Sequence, residues 1–328
     1  MIFVKAGTPG CSMVGGFVYS PVKFFITFIL LFACRLLQAQ EITYDNVYVD
    51  YDSVMEFKNL RIIPIRPKQG FGNGAPKAIS LSQAIKQGIA VVSERGSAST
   101  ENVHFLRINN HSDQTIYISS GELISGGRQD RMVTRDTLLE PNGRDQYISV
   151  MCVEELRWSD KEKKFSYENF ANTDLRRMVD VNKNQVLIWQ EITRQLGSGH
   201  INSKSSAYLS RNADKKMVQL NDEYFHFFQK KFKAGDSSVV GIVCMSGDKV
   251  IGSDIFASRD LFFNQLDPLL KGYCDQAIYM GKPVTITREE EQKYLDKLLT
   301  DKFSQEVFLK ENGKIFRQHG QVIHINSF

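Results

Sequence analysis

Short apolar stretches alternate with turns rich in Gly, Pro, Asn and Asp through the first half of the chain. Closely spaced stretches of this kind are typical of an antiparallel sheet or sandwich. The predicted strands cover residues 60–65, 89–94, 103–108, 115–119, 133–139 and 146–153. Pro64 cannot donate a hydrogen bond, so it places the first strand at an edge or an end of the sheet. A short helix capped by Ser80 and ended by Gly88 lies between the first two strands.

The pattern changes after about residue 170, where apolar residues recur every three or four positions. This spacing predicts helices over residues 184–196, 217–232, 268–280 and 287–303. Pro268 fits the first turn of the third helix, and Thr287 with Glu290 forms a capping box for the fourth. Hairpins are expected at residues 238–256 and at 306–318, where Asn312-Gly313 supplies the turn, and a last strand at 321–325. The fold class is therefore α+β, with an antiparallel sheet or sandwich-rich core and several packed helices in the C-terminal half.

Residues 1–40 have the features of a secretory signal. Lys23 precedes an apolar run of about ten residues, and small Ala39 follows near its end. The run is too short to span a membrane comfortably, which takes about 20 residues. We expect cleavage next to Ala39 and export to the periplasm or the medium, leaving one domain at residues 41–328 that is β-rich to about residue 170 and mixed thereafter. Residues 31–34 also resemble a lipoprotein box, so lipidation of Cys34 is the alternative and the only expected link to a membrane.

The net charge and the cysteine pattern exclude several classes of partner and cofactor. The net charge of +4 falls close to zero once the signal is removed, because residues 1–40 hold three bases and no acid. No basic tract occurs, so nucleic acid is not an expected partner. Cys152, Cys244 and Cys274 lie in apolar runs and are expected to be buried free thiols. The chain lacks zinc-ligand spacings and phosphate-loop or dinucleotide motifs, so we expect no metal and no cofactor.

Two stretches concentrate groups suited to chemistry. The first reads GELISGGRQDR (residues 121–131), and the second is residues 152–158, which end in Arg157 and Trp158. Both are predicted at strand ends, and the two strands between them can return the chain to the same end of the sheet. The expected ligand-binding residues are Gly126, Gln129, Asp130, Arg131, Arg157 and Trp158.

Each residue type in these stretches has a use. Arginine forks such as Arg131 and Arg157 bind phosphate or carboxylate, and Trp158 offers a ring for stacking. Glu122 and Glu154 are the candidate general acid and base, provided that burial separates their pKa values. The alternative is structural. Glu122, Asp130 and Glu154 can pair with Arg128, Arg131 and Arg157 in an ion-pair network. Burying so many charges for stability alone is costly, and this favours function for the cluster as a whole.

These motifs resemble those of the ARG-and-rhodanese-phosphatase-superfamily-associated protein domain. The resemblance rests on GELISGGRQDR and ISVMCVEELRW, with LSQAIKQGIAVVSE upstream, and spans about residues 55–280. Arg128 stands where the family pattern has lysine. No reaction is established for the family. Its association with ADP-ribosylglycohydrolase-like and phosphatase-like proteins implies, by analogy, ligands such as ADP-ribose or other nucleotide derivatives.

Two functions are therefore expected from the sequence. The first is an exported domain whose polar pocket binds, and in one version hydrolyses, a phosphorylated or glycosidic small molecule. The second is a non-enzymatic envelope module that binds glycan or a partner protein. Among the scattered histidines, His324 lies in a terminal strand and shows no partner in the sequence.

Overall fold

A computed structural model describes residues 40–96, 103–159, 164–235 and 238–328 of the chain; the predicted signal and Cys34 lie outside them. The described residues form sixteen strands: β1 Val47–Val49, β2 Met55–Phe57, β3 Leu60–Pro67, β4 Ala78–Ser80, β5 Ala90–Ser93, β6 Phe105–Asn110, β7 Thr115–Ile118, β8 Glu122–Ser125, β9 Arg131–Val133, β10 Thr137–Leu139, β11 Gln146–Cys152, β12 Ser166–Phe170, β13 Gly241–Ser246, β14 Lys249–Phe256, β15 Gly313–Gln318 and β16 Gln321–Ser327.

Seven α-helices accompany the strands within the described ranges: α1 Leu81–Lys86, α2 Thr173–Arg177, α3 Gln185–Ser198, α4 Lys215–Ala234, α5 Arg259–Tyr279, α6 Arg288–Leu299 and α7 Lys302–Asn312. A π-helical turn, Met178–Asn182, continues α2, and a 3-10 helix, Tyr208–Ala213, precedes α4. None of the described helices combines the length and the apolar character needed to cross a bilayer.

The largest sheet has seven antiparallel strands in the order β1-β3-β13-β14-β16-β15, with β2 beside β1 on the same side of β3. Helices cover both of its faces, so both faces of its central strands are apolar. Ile62 faces α4 and α5, and its neighbour Ile63 faces α6 and α7. Two separate cores therefore form on the two sides of one strand.

The other sheets come from the first half of the chain. Six antiparallel strands lie in the order β12-β8-β9-β11-β6-β5, and β4 and β10 flank β7 in a three-stranded sheet. Ile124 and Val133 pack with α1 on one face of the six-stranded sheet, whereas Leu123 and Met132 pack with α3 on the other. The short strand β8 thus carries core residues on both faces, with a polar residue at each end.

The α+β class is confirmed, and so are several details of the sequence pattern. Ser80 and Thr287 cap α1 and α6 through capping boxes. The helices predicted at residues 184–196 and 217–232 and the hairpin of β13 and β14 are present within a few residues. Cys152, Cys244 and Cys274 are buried free thiols, as expected.

Two predictions near prolines were wrong. Strand β3 is internal rather than at an edge, because β13 pairs with one side and β1 and β2 share the other. Pro64 is tolerated because β1 and β2 are interrupted beside it by the 3-10 turn Tyr51–Ser53. Helix α5 begins at Arg259, capped by Ser258, and continues through Pro268. Its many buried residues compensate for the hydrogen bond that the proline removes.

The hairpin predicted at residues 306–318 was also wrong. Residues 306–309 belong to α7, which Asp301 caps and which continues to Asn312. Gly313 begins β15, and this strand pairs with β16 instead. Asn312-Gly313 therefore joins a helix to a strand, and this junction brings α7 close to the site described below.

Candidate functional site

The stretch GELISGGRQDR spans β8, the loop at residues 126–130 (here the glycine loop) and the start of β9. The two glycines of this loop, Gly126 and Gly127, have positive φ angles of 116° and 50° and lie very close to neighbouring segments. A Cβ on Gly126 would lie 2.4 Å from the carbonyl oxygen of Lys164, and one on Gly127 would lie 2.1 Å from the ring of Phe165. Only glycine fits at these positions.

Arg157 closes the glycine loop. Its guanidinium donates to the carboxylates of Glu154 (2.6 Å) and Asp130 (2.9 Å) and to the carbonyl oxygens of Gly126 (3.1 Å) and Gly127 (3.2 Å). Asp130 also accepts from the backbone of Gly126 at 2.9 Å. Two of the acids named in the structural alternative, Asp130 and Glu154, thus pair with Arg157, whereas Glu122 does not.

The remaining predicted binding residues are placed differently from one another. Gln129 donates to the carbonyl oxygen of Glu154 at 2.8 Å. Arg131 is fully buried and lies 3.7 Å from the carboxylate of Glu94, a residue that the sequence did not single out. Trp158 is 45% exposed, with the guanidinium of Arg128 6.0 Å from its ring centroid. The predicted set therefore combines a cluster of buried polar side chains with one exposed aromatic ring.

The two predicted catalytic carboxylates lie at different levels of the sheet. Ile124 pairs with Arg131, which pairs in turn with Cys152. Glu122 lies two residues before this level and Glu154 two residues after it, a separation along the strands of roughly 13 Å. They do not face each other across one site.

Glu122 is fully buried at the start of β8. Its carboxyl group accepts from the backbone of Ser119 (2.8 Å) and from the hydroxyl of Tyr167 (3.1 Å). Burial raises the pKa of Glu122 to about 8, against the hydrogen bonds that lower it. The group is therefore mostly protonated at neutral pH.

The turn that precedes Glu122 leads into a different set of charges. Ser120 donates from its backbone to Asp136 (2.7 Å) and from its hydroxyl to Asp180 (2.7 Å). Gly121 has a φ of 95°, and a Cβ there would lie 2.8 Å from the Nε of Arg176. The turn at Ser120 and Gly121, where the GELISGG motif begins, thus lies against three charged side chains: Asp136, Arg176 and Asp180.

His324 lies at the centre of these charges. Its Nδ1 is 2.6 Å from Asp136 and its Nε2 is 3.1 Å from Asp254. Burial alone would lower the pKa of His324, but the two carboxylates raise it to about 9. The ring is therefore an imidazolium at neutral pH, and both of its N–H groups donate to carboxylates.

Asp254 continues the network into the helical layer. It accepts two hydrogen bonds from Arg176 (2.6 and 3.0 Å) and one from the hydroxyl of Tyr273 (2.5 Å). Burial alone would raise the pKa of Asp254, but Arg176 and His324 lower it to about 2. The carboxylate of Asp254 therefore stays ionised, because it lies between the positively charged side chains of Arg176 and His324.

Asp180 forms the second branch, in the π-helical turn. It accepts from Ser120, from the side chain of Asn326 (2.7 Å) and from the ammonium group of Lys314. We call the six linked groups the buried charge network: Asp136, His324, Asp254, Arg176, Asp180 and Lys314. Three carboxylates and three cations balance one another in it.

A cleft of about 500 Å³ opens above this network, where β15 passes the turn at residues 134–136. Four cationic side chains line it, and we call it the cationic cleft: Arg135, Lys183, Lys314 and Arg317. Among the described residues that line it, Asp136 is the only carboxylate. Its charge is offset by His324, so the field in the cleft is positive.

Two of the four cationic side chains already form ion pairs with carboxylates among the described residues, and two do not. Arg317 forms an ion pair with Glu41 at 2.8 Å, and Lys314 belongs to the buried charge network. Arg135 and Lys183 are exposed and make no ion pair with any described residue. These two side chains are therefore available to an anionic ligand.

Sequence reasoning did not identify the cationic cleft, because its residues come from segments far apart in the chain. One signal was present. His324 stands between Ile323 and Ile325 in a strand whose pattern predicts burial, and a buried polar side chain needs hydrogen-bond partners. The sequence showed that a partner was needed, but only the fold shows that Asp136 and Asp254 supply it.

In the part of the chain that the structure describes, no group of three or more His, Cys, Asp or Glu side chains is arranged to hold a metal ion. No curated protein and no solved structure matches the chain significantly. Residues 48–324 match the ARG and Rhodanese-Phosphatase-superfamily-associated Protein domain. The match covers most of the chain, including the glycine loop and the buried charge network, so this protein belongs to that family.

Proposed function

We propose that this protein binds an anionic small molecule of the phosphorylated class in the cationic cleft. The observation that carries the proposal is the convergence of Arg135 and Lys183 on one concave site, where neither has a carboxylate partner among the described residues. Arginine and lysine side chains in a concave site are the groups that proteins use to bind phosphate. Lys314 also lines the cleft, but its charge is already balanced by Asp180.

The rest of the lining suits an organic phosphate. Ser149 and the hydroxyl of Thr134, which donates to it at 2.7 Å, supply polar contacts for a phosphate oxygen or a sugar hydroxyl. Ile315 and Phe316 offer apolar surface on another side. A ligand with a phosphate at one end and a less polar body therefore matches the cleft.

The geometry favours binding over hydrolysis. His324 is held as an imidazolium between two carboxylates, and a proton held so firmly is a poor one for general acid catalysis near neutral pH. Asp136 accepts hydrogen bonds from Tyr117, Ser120 and His324, which leaves little capacity for a substrate proton or an attacking water. We therefore propose binding without turnover as the main function.

The glycine loop supports a second proposal, an interaction surface for glycan or for a partner protein. Leu156 is 66% exposed beside Trp158, which is also exposed, and the charged residues beneath them are paired. An exposed aromatic ring next to an apolar side chain is typical of such surfaces. Loss of glycan or partner binding in Trp158→Ala, with phosphate affinity unchanged, would support this function.

The proposal includes export of the domain. It rests on the sequence of residues 1–40, which lie outside the described residues apart from Gln40. Intact mass measurement of the protein recovered from fractionated cells tests it. Cleavage next to Ala39 and lipidation of Cys34 give different masses, and a full-length chain in the cell interior would contradict export.

Calorimetric titration of the mature domain with inorganic phosphate and with a sugar phosphate tests the main proposal. Arg135→Gln and Lys183→Gln should each weaken binding about three- to tenfold, and salt should weaken it further. Lys249→Gln is the matched control, because Lys249 is exposed at the end of β14 opposite to Asp254 and Phe256. Equal affinities in all three variants, or equal binding of the uncharged sugar, would contradict the proposal.

A further inference from the structure

A second cleft, of about 380 Å³, adjoins the cationic cleft. Lys183, Lys314 and Ile315 line both, so the two clefts meet along one wall. Asp180, Glu306 and Lys310 are among the residues that line only the second. The two clefts therefore lie side by side along β15 and the end of α7, and we call the pair of them the groove.

Available positive charge is present on both sides of the shared wall. Arg135 lines only the cationic cleft, whereas Lys310, in the last turn of α7, lines only the second cleft. Lys310 is exposed and, like Arg135 and Lys183, forms no ion pair with any described residue. A single phosphate group cannot contact both ends of such a row.

The carboxylates in the second cleft are already compensated. Asp180 belongs to the buried charge network, and Glu306 pairs with Arg317 at 3.2 Å. Neither leaves a negative charge that would repel a second anionic group. Lys310 and Lys183 therefore set the sign of the field there, as Arg135 and Lys183 do in the first cleft.

The lysine at the shared wall is held in place by the backbone. Lys183 has a φ of 48° and ends the π-helical turn Met178–Asn182. Asp180 anchors this turn to β16 through Asn326 and to β15 through Lys314. Short π-helical segments often occur at functional sites, and here one fixes the backbone from which the Lys183 side chain extends.

The groove is longer than a single phosphate group. Lys314 and Arg317 are three residues apart on β15, which corresponds to roughly 10 Å. Lys310 lies beyond Lys314 at the end of α7. The residues that line the two clefts thus follow β15 and the end of α7 rather than surround one point.

We propose that the groove binds a linear polyanion of the condensed-phosphate class, in which two or more phosphoryl groups are joined in a chain. One end lies between Arg135 and Lys183, and the other reaches Lys310 across the shared wall. This inference rests on the proposed function, because the near end occupies the cationic cleft. It adds a second anionic group to the ligand and assigns a binding role to Lys310.

Titration of the mature domain with orthophosphate and with tripolyphosphate at one ionic strength tests the inference. The measured quantity is the ratio of the two affinities, since tripolyphosphate binds any cationic surface more tightly through its charge alone. Lys310→Gln should reduce this ratio about threefold to tenfold relative to the wild type. Lys297→Gln, an exposed lysine of α6 with no ion pair to a described residue, is the matched control and should keep the wild-type ratio.

The outcomes separate this inference from the proposed function. A ratio reduced in Lys310→Gln but not in Lys297→Gln supports the extended groove. The same ratio in both variants, together with weaker binding of both anions in Arg135→Gln, overturns the inference and leaves the cationic cleft as the site of one phosphate. Failure of both anions to bind the wild type contradicts the proposed function and the inference with it.

Discussion

Asp136 and His324 are 188 residues apart in the chain, and their side chains meet at 2.6 Å beneath the cationic cleft. The contact joins the turn after β9 to the central part of β16. His324 also forms a hydrogen bond with Asp254, and Asp254 accepts two hydrogen bonds from Arg176. Isolated charges at this depth would cost several kcal/mol each, so the alternation of signs is what allows them to be buried.

The first prediction concerns alkaline pH. The pKa of His324 is raised from 6.5 to about 9, so its contribution to stability is complete below pH 6.5 and is lost as the pH rises through 9. The shift corresponds to about 3 kcal/mol. Chemical denaturation of the wild type should show a decline in unfolding free energy that continues from pH 8 to 9. His324→Gln should be less stable at pH 6 and should lack that decline; an equal decline in both proteins would refute the assignment.

The second prediction concerns Glu122, which should make the free energy of unfolding decline over a lower pH range. Burial raises the pKa of its carboxyl group from 4.5 to about 8, so the stability it contributes is complete below pH 4.5 and is lost as the pH rises through 8. Glu122→Gln mimics the protonated form and should flatten the profile between pH 4.5 and 6.5, before His324 titrates. At pH 7 the variant should be within about 1 kcal/mol of the wild type, or more stable. A strongly destabilised variant at pH 5 would indicate that the buried group is ionised.

Gly121 tests the contact between the GELISGG motif and the buried charge network. Gly121→Ala imposes a positive φ on alanine and places Cβ 2.8 Å from the Nε of Arg176. Gly88→Ala is the control, because Gly88 has a positive φ of 71° with nothing within 4 Å of the added carbon. The control should lose about 1 kcal/mol and Gly121→Ala about 2 kcal/mol or more. Equal losses in urea denaturation would show that Arg176 moves aside freely.

Replacing Arg157 tests whether the glycine loop stabilises the fold or binds the ligand. Arg157→Ala removes hydrogen bonds to two carboxylates and two carbonyl oxygens of the glycine loop region, and we expect a loss of about 2 to 4 kcal/mol. Arg107→Ala, which breaks an exposed pair with Asp145, should cost less than about 1 kcal/mol. Phosphate affinity should be unaltered by either change. Weaker phosphate binding in Arg157→Ala alone would restore the glycine loop as the ligand site.

Local patterns in the sequence predicted the fold where local interactions decide it. Ser80 and Thr287 cap helices through neighbours three residues away, and such signals need no knowledge of the tertiary structure. Pro268 misled because the proline also fits the interior of a long helix whose burial offsets a missing hydrogen bond. Asn312-Gly313 misled because the same pair that turns a hairpin also ends a helix.

The candidate site was harder to predict than the fold. The GELISGGRQDR stretch contributes to two different sites. Glu122 lies at the start of β8, and Asp130 lies beyond its end, just before β9. The sequence indicated the importance of the stretch but not this division. Arg135, Lys183 and Lys310 are unremarkable surface cations in the sequence, and only their arrangement around one groove gives them a common role.

The most direct test of the central claim is where a phosphate ligand contacts the protein. Backbone amide chemical shifts of an isotope-labelled protein of residues 41–328, followed during titration with a sugar phosphate, report this position. We predict the largest shifts at residues 134–136 and 313–317, on the two walls of the cationic cleft, with the glycine loop unaffected. Saturable shifts confined to residues 126–131 and 154–158 would contradict the account and place the ligand at the glycine loop.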